Sequence, residues 1–289
     1  MKNLHKITII GVGLIGGSFA LGLKKLGLID EIVGYGHNAD NLQLAVDLNV
    51  IDSFSTDIKT AVENSDLIML SVPLGVMQTV LRDMQPFLKA DAIITDAGSA
   101  KMSVVEAVQA VFGELPSTFV PGHPIAGKEQ SGVAAACEDL FKAHRVILTP
   151  TVNTDAAALQ TVQSLWQALG ANVQTMTPAY HDEVLAATSH LPHLLAFALV
   201  DLLNEHDELG NVFQYTAGGF RDFTRIASSD ATMWRDIALY NSDAISKWLK
   251  HYQNAIGHLI ELVDAKDGPA LHHLFSEAKA ARDEHIVKK

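Results

Sequence analysis

Two short segments carry residues that could act directly on a substrate. Residues 122–132 form a glycine-punctuated loop in which His123 stands between a glycine and a proline. A neutral imidazole there could accept a proton as a general base, although a structural loop histidine would show the same pattern. Residues 96–101 contain Ser99, whose hydroxyl could contact a substrate or only cap the helix that follows.

Two later segments add histidines and arginines. Residues 189–193 place two histidines three positions apart, but Pro192 intervenes and no carboxylate or cysteine stands at ligand spacing. We therefore expect no metal site there. Residues 218–227 and 233–236 hold three arginines, two aspartates and several aromatic residues. Ion pairing on a helix surface would explain this cluster, whereas the double glycine at its start could also turn the chain and direct an arginine into a cleft.

The start of the chain predicts the scaffold that positions these segments. Residues 7–10 are apolar or β-branched and lead directly into G-x-G-x-x-G, with helical spacing after it. This is the dinucleotide-binding fingerprint in its strand–turn–helix context, although an ordinary glycine-rich turn shares the spacing. The phosphates would lie on N–H groups at the helix N-terminus. The expected cofactor-binding residues are Gly11, Gly13, Leu14, Ile15 and Gly16.

The second predicted strand, residues 31–35, bears on the choice of cofactor. Enzymes that use NAD usually carry an acidic residue after this strand, where it holds the ribose hydroxyls. Here Gly36, His37 and Asn38 follow instead. The missing carboxylate removes repulsion against a 2′-phosphate, and His37 and Asn38 could donate hydrogen bonds to one, but no arginine clamps it. The sequence favours NADP and leaves NAD possible.

Strand and helix patterns alternate as far as about residue 176. They predict an α/β domain, residues 1–176, built on a Rossmann-like, doubly wound, mostly parallel sheet. Ser71 and Pro73 come just after an apolar strand. We expect them to lie with residues 96–101 and 122–127 in one crevice at the carboxyl ends of the strands, and to contact the cofactor.

The rest of the chain, residues 177–289, shows helical periodicity without a strand pattern and predicts an all-α domain. Residues 191–203 are apolar nearly all round, which predicts a buried helix too short to span a membrane. A second copy of the chain could cover this helix in a homodimer. The helical pattern is broken at Pro192, Gly210, Gly218, Gly219 and Gly268.

Composition limits the possible partners. Asp and Glu total 33 against 21 for Lys and Arg, which gives a net charge of -12. So acidic a surface argues against nucleic acid and anionic membranes as partners. An anionic small-molecule substrate would need a local cationic pocket. The single cysteine, Cys137, cannot form an internal disulfide and fits a reducing, cytoplasmic location.

Taken in order, the motifs resemble those of the prephenate and arogenate (cyclohexadienyl) dehydrogenases of tyrosine biosynthesis. They run from residue 11 to residue 236 and read G-x-G-L-I-G-G-S, D-x-G-S-x-K, G-H-P-x-A-G-x-E-x-S-G, S-H-L-P-H, and G-G-F-R-D-F-T-R-I-A with M-W-R-D. The resemblance implies a Rossmann-like domain that binds a nicotinamide cofactor and an all-helical dimerisation domain. It also implies an oxidative decarboxylation in which the substrate ring gives a hydride to NAD(P)+ and becomes aromatic, yielding 4-hydroxyphenylpyruvate or tyrosine.

The resemblance also assigns roles to residues. His123 matches the acceptor of the hydroxyl proton, Ser99 matches a serine beside the same hydroxyl, and Arg225 matches the arginine that holds the ring carboxylate. Lys128 replaces the small or hydroxyl residue expected at its position. Directed inward, its charge would favour prephenate over the ammonium-bearing arogenate; directed outward, it would have no effect. Further pocket positions are matched by Glu129, Asp182, Ser189, His193, Gly218, Asp222, Met233 and Trp234.

Two other interpretations stay open. β-Hydroxyacid dehydrogenases and imine reductases also join a Rossmann domain to helices, but the former require a catalytic lysine after a glycine-rich helix start, which we do not find in the second domain. A non-catalytic, nucleotide-sensing dimer is an interpretation of a different class. Activity with prephenate or arogenate would distinguish all three.

Overall fold

A parallel sheet forms the centre of the first half of the chain. The computed structural model describes residues 4–128, 130–206 and 210–286. The first six strands are β1 (Lys6–Ile10), β2 (Glu31–Tyr35), β3 (Ser53–Ser55), β4 (Leu67–Leu70), β5 (Ile93–Asp96) and β6 (Phe119–Val120). They pair in the order β3-β2-β1-β4-β5-β6, and every pair is parallel. This order confirms the predicted Rossmann-like, doubly wound sheet.

Helices cover this sheet, so its strands are apolar on both faces. The adjacent residues Ile9 and Ile10 of β1 and Ile68 and Met69 of β4 have no exposed surface, which explains the nearly continuous apolar runs in the sequence. Helix α1 ends at Lys25, and Gly27 follows with φ +62° in the left-handed conformation common after a helix. The helices of this part are α1 (Leu14–Lys25), α2 (Ala39–Asp47), α3 (Ile58–Val62), α4 (Leu74–Met84), α5 (Lys101–Phe112) and α6 (Ala156–Ala168).

A second, three-stranded sheet contains His123. Its strands are β7 (Gly122–Ile125), β8 (Arg145–Leu148) and β9 (Asn172–Thr175), with β7 antiparallel and β9 parallel to β8. The prediction that His123 lies in a loop is wrong, because His123 pairs with Ile147 of β8. Strand β7 lies at the edge of its sheet, where Pro124 interrupts no inner ladder of hydrogen bonds.

The remaining described elements are helices and helical turns, as predicted. The elements are α7 (Pro178–Leu185), a π-helical turn (Ala186–His190), α8 (Leu191–Glu205), α9 (Gly218–Thr224), α10 (Ala231–Tyr240), α11 (Ser242–Asp264) and α12 (Gly268–His285). The chain up to Ser242 forms one compact unit, and the chain from Asp243 forms another. The predicted domain boundary between residues 176 and 177 marks the change from α/β to all-α architecture and stays a prediction.

The predicted helix break at Pro192 is wrong. Helix α7, the π turn and α8 form one continuous helix of 28 residues, Pro178–Glu205. Pro192 follows the π turn directly, where the helical hydrogen-bond pattern already changes register, so its missing N–H interrupts no regular ladder.

The N-terminal part of this long helix packs into the protein, whereas its apolar C-terminal part is mostly not buried. An 18-residue window of this helix has a mean hydropathy of 1.4, so by length and composition alone the helix could cross a membrane. However, His181, Asp182 and Leu185 of α7 are buried in the protein. In α8 only Ala196 is buried, so the predicted burial of residues 191–203 is not achieved within one chain.

Candidate active site

The carboxyl ends of the neighbouring strands β1 and β4 form the crevice expected for a dinucleotide. Gly11 has φ +90°, and a Cβ there would lie 2.5 Å from the Ser71 carbonyl oxygen. A Cβ on Gly16 would overlap the Ser71 hydroxyl and the Gly11 carbonyl oxygen. Among the described residues, no atom lies within 4 Å of where a Cβ of Gly13 would be. The turn therefore needs the outer two glycines, and the middle one leaves room for a pyrophosphate, so the crevice fits a nicotinamide dinucleotide.

Strand β4 holds this turn in place. Ser71 Oγ donates to the Gly11 carbonyl oxygen at 2.7 Å, and Pro73 occupies the N-cap position of α4. Helix α1 begins directly after the turn, at Leu14 and Ile15, and no side chain caps it. Its first N–H groups are suited to bind phosphate.

The residues that follow β2 also make contacts within the protein. Asn38 caps α2, its Oδ1 accepting from the Asn41 N–H at 3.0 Å. Only its Nδ2 is then left to donate to a ligand. His37 is exposed and lies edge-on to Tyr35, with ring centroids 5.9 Å apart. Gly36 is half-buried between them.

A buried ion pair within residues 96–101 contacts the first residue of the segment 122–132. Lys101 Nζ pairs with the Asp96 carboxylate, and neither side chain is exposed. Asp96 also accepts from Gly98 N at 2.7 Å and from Gly122 N at 3.1 Å. Lys101 Nζ donates to the Gly122 carbonyl oxygen at 2.6 Å. Burial lowers the pKa of Lys101, while Asp96 opposes that change. The pair thus holds both backbone polar groups of the residue before His123.

The N-terminus of α5 is capped by a residue distant in sequence. Ser99 is not the cap that its position suggested, because Ala100 is the N-cap residue and makes no side-chain hydrogen bond. Instead, the Asp182 carboxylate of α7 accepts from Lys101 N at 2.7 Å and from Met102 N at 2.8 Å. Ser99 is half-buried in the short segment between β5 and α5.

His123 is half-buried and contacts α7. Its Nδ1 lies 2.9 Å from Nε2 of His181, and Nδ1 of His181 lies 2.8 Å from Oδ1 of Asp182. Burial lowers the pKa of His123 well below 6.5, and the neighbouring His181 and Lys101 lower it further. The imidazole is therefore neutral at physiological pH, as a general base must be. Sequence reasoning missed His181, because its partner lies 58 positions away.

The π turn carries Ser189 and His190. Asn241 Nδ2 lies 3.1 Å from Nδ1 of His190 and donates to the Asp182 carbonyl oxygen at 2.9 Å. Burial, helped by repulsion from His181, lowers the pKa of His190 to about 4. His190 is thus a neutral, buried hydrogen-bond acceptor within the protein. No group of three His, Cys, Asp or Glu side chains among the described residues could hold a metal ion.

His193 lies further along the helix and stacks on Trp234, with ring centroids 3.9 Å apart. Its Nδ1 lies 2.9 Å from the Ser189 carbonyl oxygen. A carbonyl oxygen only accepts, so Nδ1 carries the proton and Nε2 is the acceptor of the neutral ring. Trp234 Nε1 is buried without a hydrogen-bond partner in the described part of the chain. The stacked pair thus combines an imidazole acceptor with an indole donor.

The three arginines of the last cluster have different surroundings. Arg221 donates to a nearby backbone carbonyl at 3.2 Å. Arg235 pairs at 2.6 Å with Asp236, whose side chain is buried although that of Arg235 is exposed. Arg225 is exposed in a 3-10 turn. Burial lowers the pKa of His193, and the charge of Arg225 lowers it further. Arg225 is therefore a cation near the stacked pair.

Other predicted pocket residues lie at the surface of the single chain. Lys128 is exposed, and its Nζ donates to the Ala135 carbonyl oxygen at 3.3 Å. The inward orientation that would disfavour arogenate is not observed. Glu129 lies outside the described residues. Also exposed are Gly218, Asp222 and Met233.

Two family models together match most of the chain. One is described as prephenate dehydrogenase, nucleotide-binding domain, and matches residues 19–175; the other is described as prephenate dehydrogenase, dimerization domain, and matches residues 177–277. The chain belongs to the prephenate dehydrogenase family. The family predicted from the motifs is confirmed.

Individual members of the prephenate dehydrogenase family match over nearly the whole chain. A cyclohexadienyl dehydrogenase of Zymomonas mobilis is 38% identical, covering 98% of this chain and 96% of the relative. Prephenate dehydrogenase from A. aeolicus, solved with hydroxyphenyl propionate and NAD+, has a TM-score of 0.90 at 39% identity, covering 97% of this chain and 98% of that one. Synechocystis arogenate dehydrogenase has a TM-score of 0.81 at 30% identity, with 97% and 99% covered.

These matches confirm the predicted activity as well as the fold. The chain is an oxidoreductase that decarboxylates prephenate, arogenate or both, with hydride transfer to a nicotinamide cofactor. The interpretations as a β-hydroxyacid dehydrogenase, an imine reductase or a nucleotide sensor are not supported.

Proposed function

We propose that the substrate ring binds beside His123 and Ser99, at the edge of the sheet that also carries the glycine-rich turn. The observation that carries this proposal is the position of His123. Its neighbour Gly122 is hydrogen-bonded to Asp96, the last residue of β5, and β5 lies next to β4. A neutral imidazole is thereby held at the carboxyl end of the strands, where the cofactor crevice opens.

His123 is the proposed proton acceptor. The bound cofactor supplies the hydride acceptor for the hydrogen on the ring carbon that carries the hydroxyl. As that hydride leaves, positive charge develops on the hydroxyl oxygen, and His123 lowers the barrier by accepting the hydroxyl proton. The bond from the ring to its carboxylate then breaks, carbon dioxide leaves, and the electron pair of that bond makes the ring aromatic. Ser99 is proposed to hydrogen-bond the same hydroxyl.

Arg225 is proposed to hold the ring carboxylate. A planar guanidinium matches a planar carboxylate, and the nearby Trp234 Nε1 is a buried donor without a partner among the described residues. His193 Nε2 is suited to contact a polar group of the substrate. Asp182 supports the site from behind His181, since its carboxylate oxygens already accept from His181 and from two N–H groups of α5. The other proposed pocket residues are Glu129, Ser189, Gly218, Asp222 and Met233.

His123→Asn tests the proton-transfer role. We expect kcat to fall roughly 10²- to 10⁴-fold, the usual contribution of general base catalysis. The rate of nicotinamide absorbance change with saturating prephenate and arogenate measures this. His144→Asn is the control, because His144 is exposed. A His123→Asn enzyme with nearly normal kcat would remove His123 from the mechanism.

Arg225→Ala tests carboxylate binding. The carboxylate loses its charge as the reaction proceeds, so this contact cannot favour the transition state over the bound substrate. We expect KM to rise about 10- to 100-fold, which matches a charge-assisted hydrogen bond, with little change in kcat. Arg221→Ala removes the same charge nearby and is the control. A large loss of kcat at unchanged KM would contradict the assignment.

The cofactor and substrate preferences follow from weaker features. We propose that both NADP+ and NAD+ are used, with NADP+ favoured because no carboxylate stands at residues 36–38. Because no arginine is present to hold the 2′-phosphate, kcat/KM for NADP+ and kcat/KM for NAD+ should differ by no more than about tenfold. A preference for NAD+, or a difference above about tenfold in either direction, would overturn this. Lys128→Ser should leave the ratio of prephenate to arogenate activity unchanged, since the Lys128 ammonium is exposed.

The chain is also proposed to form a cytoplasmic homodimer. The second family model describes a dimerization domain, and most apolar side chains of α8 stay incompletely buried in the single chain. The net charge of -12 argues against nucleic acid or a membrane as an additional partner. Light scattering should give twice the 31.2 kDa chain mass; a monomeric mass would refute the dimer.

A further inference from the structure

The proposed base, His123, is the first of three side chains in a continuous row of hydrogen bonds. His123 Nδ1 lies 2.9 Å from Nε2 of His181, whose Nδ1 lies 2.8 Å from Oδ1 of Asp182. The carboxylate of Asp182 accepts in turn from Lys101 N and Met102 N at the start of α5. His181 has no exposed surface, so water does not compete for its ring nitrogens.

The direction of each hydrogen bond in this row follows from Asp182. Two N–H groups at the positive end of α5 stabilise the Asp182 carboxylate as an anion, and an ionised carboxylate can only accept. The proton between Asp182 and His181 is therefore on Nδ1 of His181. Nε2 of a neutral His181 has only a lone pair, so the proton of the next hydrogen bond must lie on Nδ1 of His123.

The opposite direction would require a charged His181. An imidazolium there would donate from Nε2 and leave the proton of His123 on Nε2, facing away from His181. Burial lowers the pKa of His181, and Lys101 lowers it further, against the opposing effects of Asp182 and Asp96. The groups around the row therefore favour the neutral form.

We propose that His181 is a positioning residue that holds His123 with its proton on Nδ1, so that Nε2 is a lone pair for the substrate hydroxyl. This inference rests on the proposed role of His123 as the proton acceptor. When His123 takes the hydroxyl proton on Nε2, its Nδ1–H continues to donate to His181. The charge formed on His123 is then stabilised through His181 by Asp182, and no second proton moves.

The row also connects the two regions of the chain that the two family models match. His123 lies within residues 19–175 of the nucleotide-binding model, whereas His181 and Asp182 lie within residues 177–277 of the dimerization model. The protonation pattern of the base thus depends on a helix of the second region. This gives α7 a role in catalysis without contact with the reacting atoms.

The kinetic test compares His181→Leu with His181→Gln. Leucine cannot accept from Nδ1–H of His123, and we expect kcat to fall about 10²- to 10⁴-fold, the upper value being the cost of the wrong tautomer in a serine-protease triad. KM for substrate and cofactor should change less than about threefold, because binding groups are untouched. Glutamine has a carbonyl oxygen that can accept this hydrogen bond, so kcat of His181→Gln should be at least tenfold higher than that of His181→Leu. Equal kcat values for the two variants would overturn the proposal.

The tautomer itself can be read by NMR. Long-range ¹H–¹⁵N spectra of histidine-labelled protein distinguish a proton on Nδ1 from one on Nε2, and comparison with His123→Asn assigns the His123 signals. We expect the Nδ1–H form in the native enzyme and a shift toward Nε2–H in His181→Leu. A native Nε2–H form, or an unchanged tautomer in His181→Leu, would refute the proposal. Because this readout needs no turnover, it stays decisive even if the role of His123 in catalysis fails, and the native spectrum suffices if His181→Leu does not fold.

Discussion

Removing the ammonium of Lys101 is the most demanding test of how the site is held. In Lys101→Met the apolar stem is kept, but the fully buried Asp96 carboxylate loses its counter-ion and the Gly122 carbonyl oxygen loses its donor. Breaking a buried ion pair from one side costs about 3–5 kcal/mol. Asp96 keeps two backbone donors, so we expect the lower end, about 3 kcal/mol, a substantial part of the stability of a typical domain.

Equilibrium urea denaturation, followed by tryptophan fluorescence, to which the buried Trp166 contributes, measures this free energy of unfolding. Adding Asp96→Asn to Lys101→Met should recover at least about 1 kcal/mol, because the asparagine leaves no buried charge. Lys25→Met is the control, since Lys25 pairs with Glu138 on the surface; its denaturation midpoint should not change measurably. A loss below about 1 kcal/mol in Lys101→Met, or a double variant no more stable than the single one, would refute this account.

Two further predictions concern the helix of the second region and the glycine-rich turn. Because the pKa of His190 is lowered from 6.5 to about 4, the unfolded chain binds more protons between these values, and stability should fall as pH drops from about 6.5 to about 4. His190→Gln should flatten this part of a series of urea titrations; an unchanged slope would contradict the assignment. Gly16→Ala should raise the cofactor KM at least about tenfold, because its Cβ would overlap the Ser71 hydroxyl and force the turn to move. A normal cofactor KM would show that the turn tolerates a side chain.

The sequence predicts the sheet well because its signals are local. The apolar strands and the glycines of the turn at Gly11 and Gly16 form one contiguous pattern, and the structure has them as expected. Strand β7 escapes prediction because Gly-His-Pro has no alternating pattern, and only pairing with β8 makes it a strand. The helix break at Pro192 was predicted from proline alone, which ignores the register change in the π turn.

The contacts that organise the site could not be predicted, because they are made over long sequence distances. Asp182 caps α5 from 81 positions away, and this leaves Ser99 without the capping role that its local position suggested. Lys101 follows Ser99 by two positions, yet no feature of the neighbouring sequence indicates that its side chain reaches Gly122. Which polar groups form hydrogen bonds with each other depends on how the second sheet and α7 pack against the first sheet.

The π turn sets the rotational phase of the long helix. A regular helix advances about 100° per residue, so Asp182 and His190, eight positions apart, would point about 80° away from each other. The π turn takes up one additional residue per turn, which reduces the offset to about 20°. The His190 ring can then contact the same Asn241 amide that donates to the Asp182 backbone carbonyl oxygen. A regular α-helix that kept all of these residues would instead rotate His193 by about 100° relative to α7 and away from Trp234.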